Sequence, residues 1–513
     1  MRGFRSSVLL VMALALFPFH VASARPSPIP LPASIAWLDG DFRITSKTVV
    51  DGTGKAAPIA ALLAQSIGLK AGGAGASRIR LLLVATQRAA GEDAYQLTVG
   101  RNQILIRASD PRGLFYGAQT LRQLVTTAPD GSRAIPAVEI RDAPRFRWRG
   151  LLIDVSRHFF GKESLERVID EMATYKLNVL HLHLTDDPGW RIEIPGYPKL
   201  IEIGALGDRT HPDSGDRHYY AADDIREIVA YAGARAITVV PEIEMPGHAG
   251  AAARAYPEYF DRSGHFDPAN PKTYDFVRAV LAEVAKLFPG PYIHFGGDEV
   301  GDETWTDMAD VTRLKEEHGF KSTSDVESYF AKRVGKLIAE AGKRPMAWDE
   351  QAESGADTNV VIQWWRKGRP DVRDAAAEAG YDMVLSPVDQ VYFDYAQGAG
   401  EPGAPWEGND NGPTSIAKIL AWEPVPESFT PKQTERVLGV EAAVWTEFIR
   451  TERYLQFMTF PRLLALAEVA WRPRGLRDEK EFTDRLQPHI EALRARGINA
   501  RRESSDAFEF ITH

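Results

Sequence analysis

Two consecutive acids, Asp298 and Glu299, follow a short apolar segment at residues 292–295, and two glycines separate the acids from it. The apolar run predicts a buried strand, and the glycines remove side-chain bulk where a ligand approaches the backbone. Successive side chains at a strand end diverge, so the two carboxyl groups meet different environments and titrate differently. Such a pair suits acid–base chemistry. The structural alternative is a salt-bridged strand end.

From about residue 146 onward the chain repeats one pattern, a short apolar segment followed by an amphipathic helix. Eight such alternations over roughly 300 residues predict a (β/α)8 TIM barrel. A doubly wound sheet is the alternative, but no G-x-G-x-x-G motif follows the first strand. The predicted strands are 150–155, 179–184, 237–243, 292–295, 345–348, 360–364, 383–385 and 440–445, and the predicted helices between them include 162–176, 222–236, 274–288 and 325–341.

A small α/β domain is predicted before the barrel, at residues 25–144, with Asp142-Ala143-Pro144 as the hinge. The barrel domain is predicted at 145–480, and a closing helix with a polar tail at 481–513. Within the small domain the alternation of residue types predicts strands at 78–85, 95–99 and 104–108 and a helix at 114–125.

In a TIM barrel the carboxyl ends of all eight strands meet at one rim, where the active site forms. Every predicted strand here ends in polar or aromatic side chains, which predicts a site that spans the whole rim. Sugar rings place apolar C–H faces on indole rings, and their hydroxyl groups bind charged partners. We therefore predict a carbohydrate site, with Arg157, Asp394 and Glu447 as hydroxyl clamps and Trp348, Trp365, Trp406 and Trp445 as its walls.

The chain resembles the family 20 glycoside hydrolases, the β-N-acetylhexosaminidases, over roughly residues 26–471. The N-terminal segment is also similar to the small α/β domain that precedes the barrel in that family. The resemblance rests on RGLLIDVSRHF (149–159), NVLHLHLTDDPGWR (178–191), PEIEMPGH (241–248), HFGGDE (294–299), MAWDE (346–350), VYFD (391–394) and GVEAAVWTE (439–447).

The resemblance implies retaining hydrolysis without an enzymic nucleophile, because the substrate's own 2-acetamido oxygen attacks the anomeric carbon and forms an oxazolinium ion. It implies that Glu299 is the general acid and base and that Asp298 orients the acetamido N–H. Asp186 and His248 would support the acid through hydrogen bonds. A general acid must be protonated at the working pH, so we expect a raised pKa for Glu299.

The resemblance also implies an exo-acting enzyme. Tyr392 would donate its hydroxyl to the acetamido oxygen, and Trp348, Trp365 and Trp445 would enclose the acetamido methyl group and the ring face. Trp365 is chosen over Trp364 because the family tryptophan directly precedes a basic residue, here Arg366. The expected partner is an oligosaccharide or glycoconjugate with a terminal β-linked GlcNAc or GalNAc. Loops such as 204–219 and 396–416 would select among chitobiose, N-glycans, peptidoglycan fragments and glycolipids.

The N-terminus predicts export. Arg2 and Arg5 precede an apolar run at 8–17, and Ala22-Ser23-Ala24 provides a cleavage pattern, so residues 1–24 read as a secretory signal peptide. Its removal takes away two arginines and changes the net charge from −9 to −11, which disfavours a nucleic-acid partner. The chain has no cysteine and no later run of about 18 apolar residues, so neither disulfides nor a membrane span is expected. A bacterial-type periplasmic or secreted enzyme fits these features.

Two other functions are compatible with parts of the pattern. His181-Leu182-His183 with Asp186 resembles a metal site, but barrel hydrolases usually carry that motif on the first strand, and we expect neither a metal nor a cofactor. A non-catalytic sugar-binding module would lack one of the two acids, and both are present.

Overall fold

A computed structural model describes residues 25–75, 77–85, 91–405 and 412–502, and the predicted signal peptide at 1–24 lies outside these ranges. The N-terminal part is one sheet with the strand order β1-β8-β5-β6-β4-β2-β3, and β7 pairs with β8. Two helices pack against it, α1 (Ala57–Ser66) and α2 (Pro111–Gln123). The strands are β1 (Ser34–Ile44), β2 (Thr48–Gly52), β3 (Lys70–Ala71), β4 (Ser77–Leu83), β5 (Tyr95–Val99), β6 (Gln103–Ala108), β7 (Thr126–Thr127) and β8 (Arg133–Asp142).

The second part is a closed barrel of eight parallel strands, in which the last strand pairs with the first. All residues of the first and last barrel strands are buried, as expected for a parallel sheet that is covered on both faces. The predicted TIM barrel is therefore confirmed. Its strands are β9 (Trp148–Asp154), β10 (Val179–His183), β11 (Thr238–Glu242), β12 (Tyr292–His294), β13 (Arg344–Trp348), β14 (Val361–Trp364), β15 (Asp382–Leu385) and β16 (Val437–Val444).

Helices surround the barrel and connect its strands. Among the described residues, no helix combines the length and apolar character needed to cross a membrane. The helices are α3 (Lys162–Thr174), α4 (Lys199–Glu202), α5 (Ala222–Gly233), α6 (Gly250–Ala255), α7 (Pro271–Leu287), α8 (Ala309–His318), α9 (Thr323–Glu340), α10 (Glu350–Glu353), α11 (Pro370–Ala379), α12 (Val388–Val391), α13 (Ile416–Ala421), α14 (Pro431–Arg436), α15 (Glu452–Thr459), α16 (Arg462–Trp471) and α17 (Glu479–Ala495).

Each strand and helix that the sequence predicted is present, with its ends within three residues of the predicted ones. The sequence analysis did not identify the long strands β1 and β8, which pair antiparallel. The register of β1 shifts between Trp37 and Asp41, which interrupts the alternation that marks a strand. Pro136 lies inside β8, and proline within an apolar run argues against a strand.

A buried ion pair joins the two parts of the protein. The Lys176 ammonium, at the turn between α3 and β10, lies 3.1 Å from Asp142 Oδ2 at the end of β8, and neither side chain is exposed. Asp142 also accepts hydrogen bonds from the Tyr95 hydroxyl at 2.6 Å and from Trp471 Nε1 at 2.8 Å. Burial lowers the pKa of Lys176, and Asp142 opposes that effect. This buried pair thus joins the end of the sheet to the first helix–strand turn of the barrel.

Lys176→Met should lower the free energy of unfolding by about 3 kcal/mol, because the substitution leaves Asp142 as a buried carboxylate without its cation. Urea denaturation followed by tryptophan fluorescence measures this change. Lys480→Met is the matched control, since its ammonium is exposed on α17, and it should leave the unfolding midpoint unchanged. Equal midpoints for the two variants would contradict the assigned role of the buried pair.

Candidate active site

A cavity of about 300 Å³ opens at the C-terminal mouth of the barrel. Ten of the twelve site residues predicted from sequence line it, and Val388 and Tyr395, which the sequence analysis did not name, line it as well. Tyr395 directly follows Asp394, whereas nothing in the sequence marks Val388. Asp186 lies behind the wall, and Trp406 lies outside the described residues. The ten lining residues are Arg157, His248, Asp298, Glu299, Trp348, Trp365, Tyr392, Asp394, Trp445 and Glu447.

The loop after β12 places the two acids through an unusual backbone. Gly296, Gly297 and Glu299 all have positive φ, at 70°, 89° and 56°. A Cβ atom on Gly296 would lie 1.7 Å from Glu244 Oε1, so any other residue there would displace the buried Glu244 carboxyl group. Positive φ is rare for a residue with a side chain, and Glu299 adopts it because the preceding glycines turn the chain toward the cavity.

A chain of hydrogen bonds and ion pairs connects Glu299 to the barrel interior through His248. His248 Nε2 lies 3.2 Å from Glu299 Oε2, and its Nδ1 lies 3.6 Å from Asp186 Oδ2. Burial alone would lower the pKa of His248, but hydrogen bonds to Asp186 and Glu299 and the charge of Asp298 raise it to about 12. His248 is therefore an imidazolium that is surrounded by three carboxyl groups.

The expectation of a raised pKa for Glu299 is wrong. The hydrogen bond from His248 lowers the pKa of Glu299, and 58% of its side chain is exposed to water. The neighbour of Glu299 is a cation rather than the anion or apolar wall that the expectation assumed. The pKa of Asp298 is the one that is raised, because burial and the charges of Glu299 and Glu242 disfavour its ionised form.

Arg157 forms ion pairs with two carboxyl groups of the site, Asp186 and Glu447. Its Nη2 lies 2.7 Å from Asp186 Oδ2 and 3.8 Å from Glu447 Oε1. Although burial would raise it, Arg157 and the two histidines that contact Asp186 hold the pKa of that carboxyl well below its usual range. Asp154, at the end of β9, accepts hydrogen bonds from the backbone N–H groups of Ser156, Arg157 and Thr446, and so fixes both loops that carry Arg157 and Glu447.

The aromatic residues form the remaining wall. Trp348 and Trp445 have ring centroids 5.9 Å apart, and Trp365 stacks near Tyr392 with an interplanar angle of 15°. The Trp348 indole N–H donates to Glu242 Oε1 at 2.9 Å. The Trp365 N–H donates to Glu350 at 3.2 Å. These two bonds fix the positions of the two indole rings in the cavity wall.

Four groups of histidine and acidic side chains in the described part of the chain lie close enough to hold a metal ion. The most enclosed consists of His181, Glu242 and His294, below the cavity. Its members already bind other side chains, since His181 Nδ1 lies 2.8 Å from Glu441 Oε1 and Glu242 bonds to Trp348. The histidines of the H-x-H motif thus face the interior of the barrel rather than the cavity.

Two family models match the chain. The catalytic domain of glycosyl hydrolase family 20 matches residues 146–474, and domain 2 of that family matches residues 25–143. The chain therefore belongs to glycosyl hydrolase family 20. It is a glycoside hydrolase of the β-N-acetylhexosaminidase type, as the sequence predicted.

Curated relatives and solved structures agree with this class. The chain is 34% identical to a β-hexosaminidase of Porphyromonas gingivalis, over 92% of this chain and 64% of that protein's length. It is 35% identical to a β-N-acetylhexosaminidase of Cellulomonas fimi, over 90% of this chain and 93% of that one. The fold matches a Vibrio harveyi exo-β-N-acetylglucosaminidase in complex with N-acetylglucosamine with a TM-score of 0.85 at 31% identity, covering 94% of this chain and 79% of that one.

Gly296→Ala should reduce hydrolysis of an aryl N-acetylhexosaminide by about 10²-fold or more, since a shift of roughly 1 Å in catalytic groups has an effect of that size. The added methyl group collides with the Glu244 carboxyl group at a position where φ is 70°, so either that buried carboxyl group or the loop that carries both acids must shift. Gly233→Ala is the control, because its Cβ would meet nothing within 4 Å. Steady-state kinetics and the circular dichroism of both variants measure the effect. A fully active Gly296→Ala variant would contradict the geometry of this loop.

Proposed function

We propose that the protein is an exo-acting, retaining β-N-acetylhexosaminidase that removes terminal GlcNAc or GalNAc by substrate-assisted catalysis. One observation carries the proposal. Asp298 and Glu299 extend from consecutive residues of one loop, and oxygens of both lie within 4.8 Å of each other and of a His248 nitrogen. Both acids therefore occupy one wall of the cavity, where they do not straddle an anomeric carbon as a nucleophile and an acid must.

The chemistry assigned to these residues proceeds in two steps. In the first, Glu299 gives its proton to the glycosidic oxygen while the acetamido carbonyl oxygen attacks C1, so that the C1–O bond breaks and an oxazolinium ion forms. Asp298 accepts a hydrogen bond from the acetamido N–H group and stabilises the positive charge that develops on the oxazolinium ring. In the second step, the Glu299 carboxylate takes a proton from a water molecule that attacks C1, and the ring opens to the retained product. The intramolecular nucleophile makes the attack effectively unimolecular.

Protonation of Glu299 follows from substrate binding in this account. The hydrogen bond from His248 and the exposure of the side chain to water favour the carboxylate form of Glu299. A sugar in the cavity replaces that water with apolar C–H groups, and desolvation raises the pKa of a carboxyl group. The Asp186–His248 pair then supports the acid, and its cation stabilises the carboxylate that remains after proton transfer.

The cavity supports cleavage at chain ends. Its volume of about 300 Å³ is at the small end for ligand pockets, which fits one sugar residue. Arg157, Asp394 and Glu447 are assigned to the hydroxyl groups of the non-reducing end. Tyr392 is assigned to the acetamido oxygen, and Trp348, Trp365 and Trp445 to the acetamido methyl group and ring face. The N-acetylglucosamine bound to the Vibrio harveyi neighbour supports the same sugar class.

Glu299→Gln should lower the turnover of a natural disaccharide by about 10²–10⁴-fold, because loss of a general acid has effects of that size. Its KM should change little, and aryl substrates with acidic leaving groups should lose far less, since they depart without protonation. Glu303→Gln is the matched control, an exposed glutamate of the same loop, and should remain fully active. Wild-type rates on the disaccharide for Glu299→Gln would refute the assignment.

We also propose that the protein is exported and cleaved after Ala24, on the strength of the basic, apolar and small-residue order at residues 1–24. Mass spectrometry of the protein from its producing cell should find Arg25 at the mature N-terminus, in the periplasm or the medium. Ala24→Asp should block the cleavage while leaving the chemistry intact. Chain that begins at Met1 in the cytosolic fraction would refute export.

A further inference from the structure

Glu244 lies directly beneath the loop that carries the two acids. Its side chain is enclosed, with 1% of the residue exposed, and its Oε1 accepts a hydrogen bond from the Gly297 N–H at 3.1 Å. Its own N–H donates to Thr185 Oγ1 at 2.9 Å. The carboxyl group fills the space that a side chain on Gly296 would occupy. The position of Glu244 is therefore fixed by the same backbone that places Asp298.

Two buried carboxyl oxygens, one of Glu244 and one of Asp298, accept none of these hydrogen bonds. Neither Glu244 Oε2 nor Asp298 Oδ1 has a conventional donor within reach, and both are inaccessible to water. The two carboxyl groups are close enough for a hydrogen bond between them to raise the pKa of Glu244 and to act in the opposite direction on Asp298. Such a bond needs one proton, because two neighbouring carboxylates would repel each other in a medium of low dielectric constant.

The surroundings decide which of the two groups holds the proton. Asp298 has the His248 imidazolium 3.9 Å from its Oδ2 and reaches the cavity, whereas the carboxyl groups around Glu244 are Asp298, Glu242 and Asp186. His183 also lies within 4.8 Å of Glu244, but its two ring nitrogens are already bonded to Glu242 and Asp186. Burial first, and then these carboxylates, raise the pKa of Glu244 well above its usual range. The pKa of Asp298 is also raised, chiefly by burial, but the bond from Glu244 offsets part of that rise.

Building on the proposed function, we propose that Glu244 is a positioning residue, held as a neutral carboxylic acid whose O–H donates a hydrogen bond to Asp298 Oδ1. This bond keeps Asp298 ionised and turns its Oδ2 toward the cavity. An ionised, fixed Asp298 is what an acetamido N–H and a developing oxazolinium charge require. Glu244 acts through Asp298 and does not touch the sugar.

A pair of substitutions separates this role from simple packing. Glu244→Gln keeps an acceptor for Gly297 and replaces the O–H with an amide N–H, so kcat should fall by about tenfold or less. Glu244→Met keeps the length of the side chain without a donor, so kcat should fall by about 10²-fold with little change in KM. In the background of Asp298→Asn, Glu244→Met should add almost nothing, because the two residues act as one unit. Equal losses for Gln and Met, or no loss for either, would overturn the proposal.

Infrared difference spectroscopy tests the proton itself without turnover. The ligand-free protein at neutral pH should show a protonated-carboxyl C=O band that Glu244→Gln removes and Asp298→Asn shifts. Glu350→Gln is the control, since the pKa of Glu350 is also raised, to about 9, and it should remove a different band. Absence of any band that depends on Glu244 would refute the proposal, even if the protein proves to be the hexosaminidase proposed above. A Glu244 band in a protein that cleaves no hexosaminide would refute only the proposed function.

Discussion

The mouth of this barrel contains more carboxyl groups than cations, and the arrangement of the site depends on that excess. Asp186 is fully balanced by Arg157 and two histidines, and its carboxylate stays ionised. Glu244, Glu350 and Asp298 each have a raised pKa, because burial and neighbouring carboxyl groups outweigh the cations nearby, which are Arg366 at 3.5 Å from Glu350 and His248 at 3.9 Å from Asp298. Because charge in a buried site must be paired or removed, we propose that the proton shared by Glu244 and Asp298 stays on Glu244 rather than on Asp298, which has His248 beside it.

Glu299 is the member of the cluster whose environment a substrate changes most. It is the most exposed of these acids, and its one side-chain hydrogen bond is with His248. Its pKa therefore depends on how much water surrounds the carboxyl group in the cavity. Asp298 and Glu447 also line the cavity, but their side chains are much less exposed, at 17% and 13%, so that filling the cavity removes less water from them. We propose that the loop after β12 carries one acid, Glu299, that responds to the substrate and one, Asp298, whose state is set by the protein.

The fold was largely predictable, because a parallel barrel leaves a strong signal in the sequence. Its strands are buried on both faces and read as apolar runs, while its helices show the amphipathic period. The strands β1 and β8 were not predicted, because a register shift in β1 and a proline in β8 interrupt the alternation of residue types that marks a strand. The ion pair of Lys176 with Asp142 could not be predicted either. The two residues come together only when the sheet packs against the barrel.

Most of the cavity lining could be named from the sequence because strand ends in a barrel share one rim, and the family resemblance distinguished Trp365 from Trp364. The protonation pattern could not be named in this way. The lowered pKa of Glu299 depends on the distance from His248 Nε2, and the exposure of its side chain depends on the positive φ of the loop. Glu244 stands in a quoted motif, yet only the folded chain reveals that it meets Asp298 beneath Gly296.

In the mechanism that we propose, the acetamido oxygen of the substrate, and no carboxylate of the protein, attacks the anomeric carbon. The most direct measurement is the dependence of kcat/KM on successive fluorination of the N-acetyl group in a series of aryl N-acetylhexosaminides. Each fluorine withdraws electron density from the attacking oxygen, so the account predicts a steep and regular fall in rate across the series. A rate that is insensitive to fluorine, together with a carboxylate labelled covalently by a fluorosugar, would contradict it.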